Sequence, residues 1–300
     1  MSGELAGVPA APSGAGWGRG GRLAARRRLA DRLATGLSLG ATGIVLLALG
    51  SILLTLLARG LPGLSAGTLV RVMTPPGGGG GLANAIAGSL VQTGLAAAIG
   101  TPVGLLTGIY LSEYATDGRV VAVVRFVSDM MLSAPSILVG LFVYLALVAP
   151  VGHFSGLSGA VALAMLFVPV VVRTTEDMLR LVPLTMREAA YALGAPKWRV
   201  VLQVCLRAAR AGVLTGILLA VARVSGETAP LLFTSLGNMN WSLSLDAPMA
   251  SLPVAIYQYA GSAYDDWVQL AWTGALLITA GVLVLNVVVR MWHRRLGAGQ

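Results

Sequence analysis

The sequence is short of the residues on which most enzyme and metal chemistry depends. Its only cysteine is Cys205, so no disulfide can form within the chain. Its two histidines, His153 and His293, lie far apart in the sequence and suggest no metal-binding constellation. Its only lysine, Lys197, follows a proline, whereas a Walker A loop needs a glycine before the lysine. The chain therefore contains no internal disulfide and no phosphate-binding loop for ATP.

Charged residues are also scarce, whereas apolar residues are abundant. Asp, Glu, Lys and Arg make up 11% of the 300 residues, against 56% for hydrophobic residues, and the mean hydropathy is +0.80. A chain of this length and composition is too apolar for one soluble domain. The net charge of +9 could suggest nucleic-acid binding, but the arginines lie between apolar runs. The composition therefore predicts an all-α polytopic membrane protein.

Six apolar segments are long enough to cross a bilayer, which takes about 20 residues in a helix. A cluster of arginines from Arg19 to Arg32 precedes the first segment and, by the positive-inside rule, keeps the N-terminus in the cytoplasm. Only Arg59 and Arg71 fall in predicted external segments, which supports six crossings with both termini cytoplasmic. The predicted spans are residues 33–58, 82–111, 126–149, 157–181, 211–236 and 270–289.

The segments outside the spans differ from them in composition. Residues 1–32 are rich in glycine, proline, alanine and arginine and are predicted to be a disordered basic cytoplasmic tail. Residues 74–81 contain two prolines and five glycines, which is typical of a flexible external connector. The other boundaries are a transmembrane domain at 33–289, a cytoplasmic loop at about 183–210, an external loop at about 237–269 and a cytoplasmic C-terminal tail at 290–300.

Glycines and prolines inside the spans predict how the helices pack and bend. Gly100, Gly104 and Gly108 recur every four residues, a spacing that lets two membrane helices approach closely. A proline inside a helix removes one backbone hydrogen bond and bends the helix. The prolines expected to kink the second, third and fourth spans are Pro102, Pro135 and Pro169.

A short helix-turn-helix is predicted in the cytoplasmic loop at 183–210. Thr185 and Glu188 have the spacing of a capping box, so a helix should begin near residue 186. Gly194 supplies a left-handed stop, and Pro196 fits the first turn of the next helix. The first helix is therefore only about two turns long and exposed. An apolar stripe on the second helix is predicted from Trp198, Val201, Leu202 and Cys205.

The same loop resembles the EAA loop of ABC importer permeases. Glu188, Ala189 and Ala190 are followed after three residues by Gly194, and nine residues later by the segment 204–206. Arg207 stands where proline is usual. In that family the loop is the element by which a separate ATPase subunit engages its permease. The resemblance implies that Glu188, Ala189, Ala190 and Gly194 couple this chain to an ATPase.

Two charged residues lie within the fifth predicted span. Arg223 and Glu227 are four residues apart, which places them on one face of a helix within ion-pair reach. Gly226 and Pro230 weaken the helix beside them, and irregular backbone at this depth must be buried in protein or line a cavity. The pair is either an internal ion pair or part of a pathway. An arginine in a pathway would suit an oxyanion.

Other acidic residues have simpler interpretations. Glu113, at the end of the second span, is predicted to be solvated. Asp129 follows Arg125 by four residues and is expected to pair with it on one helix.

Four segments resemble the PstA type of permease from phosphate ABC transporters. They are 108–115 (GIYLSEYA), 173–183 (RTTEDMLRLVP), 223–234 (RVSGETAPLLFT) and 251–260 (SLPVAIYQYA). The resemblance implies the type I ABC importer permease fold, with six transmembrane helices and a cytoplasmic coupling helix. It also implies that this chain forms half of the translocation pathway in an ATP-driven importer of inorganic phosphate in the bacterial inner membrane.

Partners and pathway residues follow from the same resemblance. The implied partners are a second permease subunit of the PstC type, a homodimeric ATPase of the PstB type and a periplasmic phosphate-binding protein of the PstS type. ATP and magnesium would be bound by the ATPase, and this chain would bind no cofactor. The family's functional charges would map onto Arg173, Arg223 and Glu227.

Two alternatives remain open at this stage. The cargo could be another oxyanion, such as sulfate or molybdate, because cargo choice depends largely on a binding protein outside this sequence. The chain could also be a secondary transporter driven by an ion gradient, with Arg223 and Glu227 as a proton relay. That alternative leaves the cytoplasmic helix-turn-helix without a role.

Overall fold

The computed structural model describes residues 17–115 and 118–297, and in these ranges the chain forms helices and no strand. The chain divides into two units, residues 1–55 and residues 56–300. The first unit contains most of the first helix, and the packing described below is that of the second unit.

In chain order the α-helices of the described residues are α1 (Trp17–Gly60), α2 (Ala66–Val70), α3 (Ala83–Ile109), α4 (Arg119–Ser133), α5 (Ser136–Val143), α6 (Ala149–Val151), α7 (Gly156–Arg180), α8 (Leu184–Ala192), α9 (Lys197–Arg199), α10 (Leu206–Ser225), α11 (Ala229–Thr234), α12 (Leu252–Ala260) and α13 (Asp265–Gly297). Three wider π turns extend or join them, at Tyr110–Tyr114, Tyr144–Val148 and Val200–Cys205.

Five helical segments of the described residues are long and apolar enough to cross a membrane. A sixth span is present if α4 and the segment Ser136–Val151, which meet at a bend of 108°, are counted together. The prediction of six spans is confirmed on that count. The five unbroken segments are Arg26–Gly63, Ala83–Tyr114, Gly156–Arg180, Lys197–Ser225 and Asp265–Val288.

The bend lies at the proline of the third predicted span. Ala134, with a ψ of 137°, and Pro135, with a ψ of 130°, are both extended, so α4 ends at Ser133, two residues before the proline. The ring of a proline disfavours helical backbone at the preceding residue. Pro135 therefore divides the span into two helices, whereas Pro102 and Pro169 lie inside α3 and α7, which are each unbroken.

The predicted bounds of the fifth span, 211–236, are wrong at both ends. The helical segment begins at Lys197, inside the predicted cytoplasmic loop, because residues 200–210 include many good helix formers. It ends at Ser225, because Gly226 leaves the helix with a φ of −101° and a ψ of 2°. Residues 229–234 then form the separate helix α11.

Two segments predicted to be irregular are structured. Residues 17–32, assigned to the disordered tail, belong to α1, because arginine, leucine and alanine are strong helix formers; residues 1–16 lie outside the described ranges. The glycine-rich segment 74–81 is held by hydrogen bonds. The Gly77 N–H donates to Asp266 Oδ2 at 2.7 Å, and the Trp267 indole N–H donates to the Thr74 carbonyl at 3.3 Å. The prediction of a flexible connector is therefore wrong.

A seam of glycines joins α3 to α7. A Cβ added at Gly104 would lie 2.6 Å from the Cβ of Val171, and one added at Gly108 would lie 2.7 Å from the Cβ of Thr175. Gly216 on α10 meets Thr174 on the same central helix. The close packing predicted for Gly104 and Gly108 is confirmed. These contacts make α7, which supplies half of the buried residues of the central core, the helix around which α3 and α10 pack.

Replacing Gly104 with Ala should destabilise the protein, because the added methyl group has no room against Val171. Overpacking of this kind costs about 1–3 kcal/mol in the free energy of unfolding. The matched control is Gly94→Ala in the same helix, where a new Cβ would meet nothing within 4 Å. We expect unfolding in detergent micelles to show a loss only for Gly104→Ala. Equal behaviour of the two variants would contradict the close approach.

Candidate functional site

The cytoplasmic helix-turn-helix predicted from the sequence is present, but it begins differently. Helix α8 starts at Leu184, directly after Pro183, which has a ψ of 141° and makes no side-chain cap. Thr185 therefore lies inside the first turn, and the capping-box prediction for Thr185 and Glu188 is wrong. A proline in extended conformation has started the helix before the threonine can cap it.

The end of α8 agrees with the prediction. Gly194 has a φ of +77°, in the left-handed region that glycine reaches without a Cβ clash. Its N–H donates to the Tyr191 carbonyl at 2.9 Å, which closes the last turn. Pro196 caps α9 rather than occupying its first turn. The loop from 183 to 210, called the coupling loop below, thus has a short helix of nine residues at its start.

The coupling loop presents apolar side chains that this chain leaves uncovered. Leu193 is 88% exposed, and Ala189 and Trp198 are also exposed. The predicted apolar stripe is split, because Val201 and Cys205 are buried whereas Trp198 and Leu202 are not. The π turn at Val200–Cys205 changes the angle between successive residues, so a stripe drawn for an α-helix does not stay on one face.

A buried ion pair ties α8 to the end of α3. Arg187 Nη1 donates to Glu113 Oε2 at 2.5 Å, and the Glu113 side chain is only 5% exposed. Arg187 Nη2 also donates to the Leu179 carbonyl near the end of α7, at 2.7 Å. The prediction that Glu113 is solvated is wrong. The two partners are 74 residues apart in sequence, so no local pattern indicates their contact.

A second buried acid, Glu176, was missed by the sequence analysis. Its side chain is 3% exposed and accepts from Arg125 Nε at 2.9 Å and from Arg180 Nη2 at 2.6 Å. The spacing of four residues between Glu176 and Arg180 is a signal that could have identified half of this cluster. The predicted pair between Arg125 and Asp129 is wrong, because Arg125 reaches across to α7 instead.

Arg173, predicted to lie in the pathway, is half-exposed on α7 between two acids. Its Nε lies 3.3 Å from Asp177 Oδ2, and its Nη1 lies 3.8 Å from Asp129 Oδ1 on α4. All three side chains are about half-exposed, so each ion pair is partly solvated. The positive charge of Arg173 is therefore neutralised by two partly solvated acids.

Arg223 and Glu227 form no ion pair with each other, nor with any other residue that the structure describes. The spacing argument fails because α10 ends at Ser225 and the backbone leaves the helical path before Glu227. Arg223 is exposed in the last turn of α10, and Glu227 is half-buried in the break that follows. Both charges are thus free to meet groups outside this chain.

The helix break is packed against the other broken span. A Cβ added at Gly140 on α5 would lie 2.6 Å from the Cα of Pro230 on α11. Pro230 lies in the first turn of α11, where its missing N–H removes no helical hydrogen bond. Gly226 and Pro230 therefore do mark the break predicted from the sequence, and the short helices α5 and α11 meet beside it.

The arginines Arg173 and Arg223 lie at different heights along the bundle. Gly216 on α10 contacts Thr174, the neighbour of Arg173. Arg223 follows Gly216 by seven residues, a rise of about 10 Å along the helix. The structure thus arranges the two arginines as successive positions along the bundle rather than as one site.

The outer loop carries a strained residue beside a cavity. Leu236 has a φ of +62°, which is uncommon for a residue with a branched side chain. It lines a cavity of about 350 Å³ together with Asn238, Ser251 and Gln258. The hydroxyl of Ser251 is buried and has no hydrogen-bond partner in the described part of the chain.

The remainder of the outer loop is held against the start of α13. The rings of Tyr259 and Trp267 stack with centroids 4.4 Å apart. Burial and, to a lesser extent, the negative charge of Asp266 raise the pKa of Tyr259 to about 12. Its hydroxyl therefore stays neutral at physiological pH, and the stack contributes no charge to this face.

Comparison with known proteins identifies the family of this chain. A family model described as "Binding-protein-dependent transport system inner membrane component" matches residues 100–298. The phosphate transport system permease protein PstA of Pasteurella multocida is 50% identical over 266 residues, which cover 89% of this chain and 95% of that protein. PstA of Haemophilus influenzae is 51% identical over 268 residues, with coverage of 89% and 95%.

Solved structures of low sequence identity show the same fold. The MetNI methionine ABC transporter, in an inward-facing conformation, matches with a TM-score of 0.60 and 20% identity over 71% of this chain and 95% of that chain. An amino acid ABC transporter matches with a TM-score of 0.54 and 17% identity over 70% and 92%. With its two broken spans, its exposed coupling helix and these relatives, the chain belongs to the binding-protein-dependent transport system inner membrane components, and within them to the PstA-type phosphate permeases.

Proposed function

We propose that this chain is a membrane subunit of an ATP-driven phosphate importer and that it forms half of the translocation pathway. The observation that carries the proposal is the 50% identity to a PstA permease over 95% of that protein's length. The chain itself is a transport component and not an enzyme. The ATP and magnesium would be bound by a partner ATPase, since the only lysine lies outside any phosphate-binding loop.

The coupling loop is the proposed contact with the ATPase. Glu188 and Ala189 are exposed on α8, and Ala190 packs against the buried residues around Leu179. Gly194 ends the helix and brings the chain back toward α10. A short helix that is held on one side and uncovered on the other can be pushed as a unit. ATP-driven closure of a homodimeric ATPase of the PstB type would supply that movement.

Arg173, Arg223 and Glu227 are the proposed contacts with phosphate along the pathway. Arg223 is exposed in the last turn of α10, within a helical segment long and apolar enough to cross the membrane, where a charge facing lipid would be costly. A guanidinium offers several N–H donors that match phosphate oxygens. Glu227 follows in the helix break and opposes an anion by its charge. Arg223 and Glu227 would therefore provide an attractive group and a repulsive group for phosphate, next to the break between α10 and α11.

The other partners would complete the pathway on both sides. A second permease subunit of the PstC type would cover the exposed arginines of this chain and supply the other half of the route. The outer loop at 237–269 would receive phosphate from a periplasmic binding protein of the PstS type. Both termini would lie in the cytoplasm, as the arginine distribution predicts.

Transport by the reconstituted complex tests this function. Proteoliposomes that contain this chain with its permease, ATPase and binding-protein partners should accumulate phosphate only when ATP is supplied. A proton ionophore should leave the uptake unchanged, and sulfate in place of phosphate should not be accumulated. Radiolabelled uptake measures all three. Uptake that persists without ATP and stops with the ionophore would identify a secondary transporter, and sulfate uptake would change the cargo.

A further inference from the structure

We infer that the buried ion pair between Glu113 and Arg187 is the link that transmits movement of the coupling loop to the transmembrane helices. The inference rests on the proposed function and names the residues through which it operates. Arg187 lies on α8, and Glu113 lies in the π turn that extends α3. Their charged atoms are 2.5 Å apart, with the two side chains 16% and 5% exposed.

The pair holds α8 to two transmembrane helices at once. Arg187 bonds the Glu113 carboxylate at the end of α3 and the Leu179 carbonyl near the end of α7. Because both bonds are directional, α8 cannot slide along the bundle without breaking them or carrying these helix ends with it. Separating the two charges of a buried ion pair costs more free energy than separating a surface pair. A movement of α8 that carries the ends of α3 and α7 with it is therefore favoured over one that breaks the pair.

A second contact joins the same π turn to the other end of the coupling loop. The Lys197 ammonium lies over the Tyr114 ring, 4.8 Å from its centroid. Helix α8 and the start of α9 therefore both contact the segment Tyr110–Tyr114. Single π turns of α-helices are frequent at functional sites. This one follows α3 and carries Glu113, whose carboxylate bonds Arg187 on α8.

The connection continues from the π turn into the bundle. Arg125 on α4 donates to the Leu111 carbonyl at 3.4 Å and to Glu176 on α7 at 2.9 Å. A displacement of the π turn therefore acts directly on α4, whose far end lies at the 108° bend. This chain of bonds connects the coupling loop to the broken third span.

The guanidinium of Arg187 has one donor that the two bonds do not use. The Nε of Arg187 is buried and has no hydrogen-bond partner among the residues that the structure describes. A buried donor without a partner is unfavourable, and a purely structural arginine would be expected to satisfy it.

The test uses the complete complex with a neutral pair, Glu113→Gln together with Arg187→Gln, which leaves no unpaired buried charge. A matched control, Arg27→Gln with Asp31→Asn, makes the same change at two exposed positions of α1. We expect the neutral pair to assemble and hydrolyse ATP but to move at least about fivefold less phosphate per ATP, the lower end of usual coupling effects. The control should keep the wild-type ratio.

A second readout does not depend on the cargo. Spin labels at Leu106→Cys on α3 and Leu184→Cys on α8, both exposed positions, report the distance between the two helices. The native Cys205 is buried and should not be labelled. In the complex that keeps the native Glu113 and Arg187, trapping the ATPase with ATP and vanadate should leave the distance between the two labels unchanged. In the Glu113→Gln, Arg187→Gln variant the distance between the labels should change, because α8 then moves without α3.

The phosphate-to-ATP ratio and the label distance are interpreted together. A normal phosphate-to-ATP ratio in the neutral pair, or a ratio that falls while the distance stays fixed, would overturn the inference. If the neutral pair fails to assemble, Glu113→Asp, which keeps the charge on a shorter side chain, takes its place with the same criteria. If the wild-type complex carries no phosphate at all, the proposed function fails, and the label distance alone then decides the inference.

Discussion

Replacing Arg223 with Ala should abolish ATP-driven phosphate uptake while the complex still assembles. The guanidinium is exposed in the last turn of α10 and pairs with no acid in the described chain, so its removal breaks no ion pair within this chain. Loss of a desolvated charge-assisted contact costs about 2–5 kcal/mol, which corresponds to a fall of at least about thirtyfold. Radiolabelled phosphate uptake into proteoliposomes measures the effect.

Three further variants make this test specific. Arg223→Lys keeps the charge but loses the fork of donors, so uptake should be intermediate. Arg71→Ala removes an exposed arginine bonded only to the Gly79 carbonyl, and uptake should stay within about twofold. Because Arg223 and Glu227 are unpaired, adding Glu227→Gln to Arg223→Ala should not restore transport. Recovery in that double variant would show that the two charges serve only to neutralise each other.

Replacing Leu193 with Asp should release the ATPase from the membrane complex. Leu193 is 88% exposed at the end of α8, so the change disturbs little within this chain and acts on a partner. A charge placed at the centre of an apolar contact costs at least about 2 kcal/mol, or roughly thirtyfold in affinity. Copurification of the ATPase with the tagged permease measures the loss.

The matched control for that experiment is Leu243→Asp. Leu243 is 51% exposed in the loop that meets the start of α7, whereas the coupling loop follows the end of the same helix. The two substitutions are chemically identical and lie at opposite ends of α7. ATPase retention should be normal for Leu243→Asp. If Leu193→Asp also retains the ATPase, α8 is not the docking element.

Features that depend on glycine positions and on hydropathy were predicted well from the sequence, whereas several side-chain pairs predicted from spacing alone were not. The glycines of α3 could be identified because a recurrence of four residues places them on one face, and the structure puts Val171 and Thr175 of α7 against that face. Gly194 could be identified because few other residues adopt its left-handed conformation. The six apolar segments could be identified because hydropathy alone reports membrane burial.

Features that depend on contacts between distant segments were not predictable. Glu113 was expected to be solvated because it ends the second predicted span on the cytoplasmic side, yet Arg187 reaches it from 74 residues away. Asp129 was paired with Arg125 by spacing, although α7 competes for both side chains through Glu176 and Arg173. The separation of Arg223 from Glu227 depends on where one helix stops, which is the least certain feature of any sequence prediction.

The glycine seam limits which parts of this protein can move during transport. Helices α3 and α7 touch with almost no side chain between them, and Gly216 brings α10 equally close to α7. Because surfaces packed this closely cannot slide past each other without steric clashes, α3, α7 and α10 must move as one rigid body. The hinges must then lie at the two helix interruptions, Pro135 and Gly226. The short helices α5 and α11, which contact each other through Gly140 and Pro230, would move together across the translocation pathway.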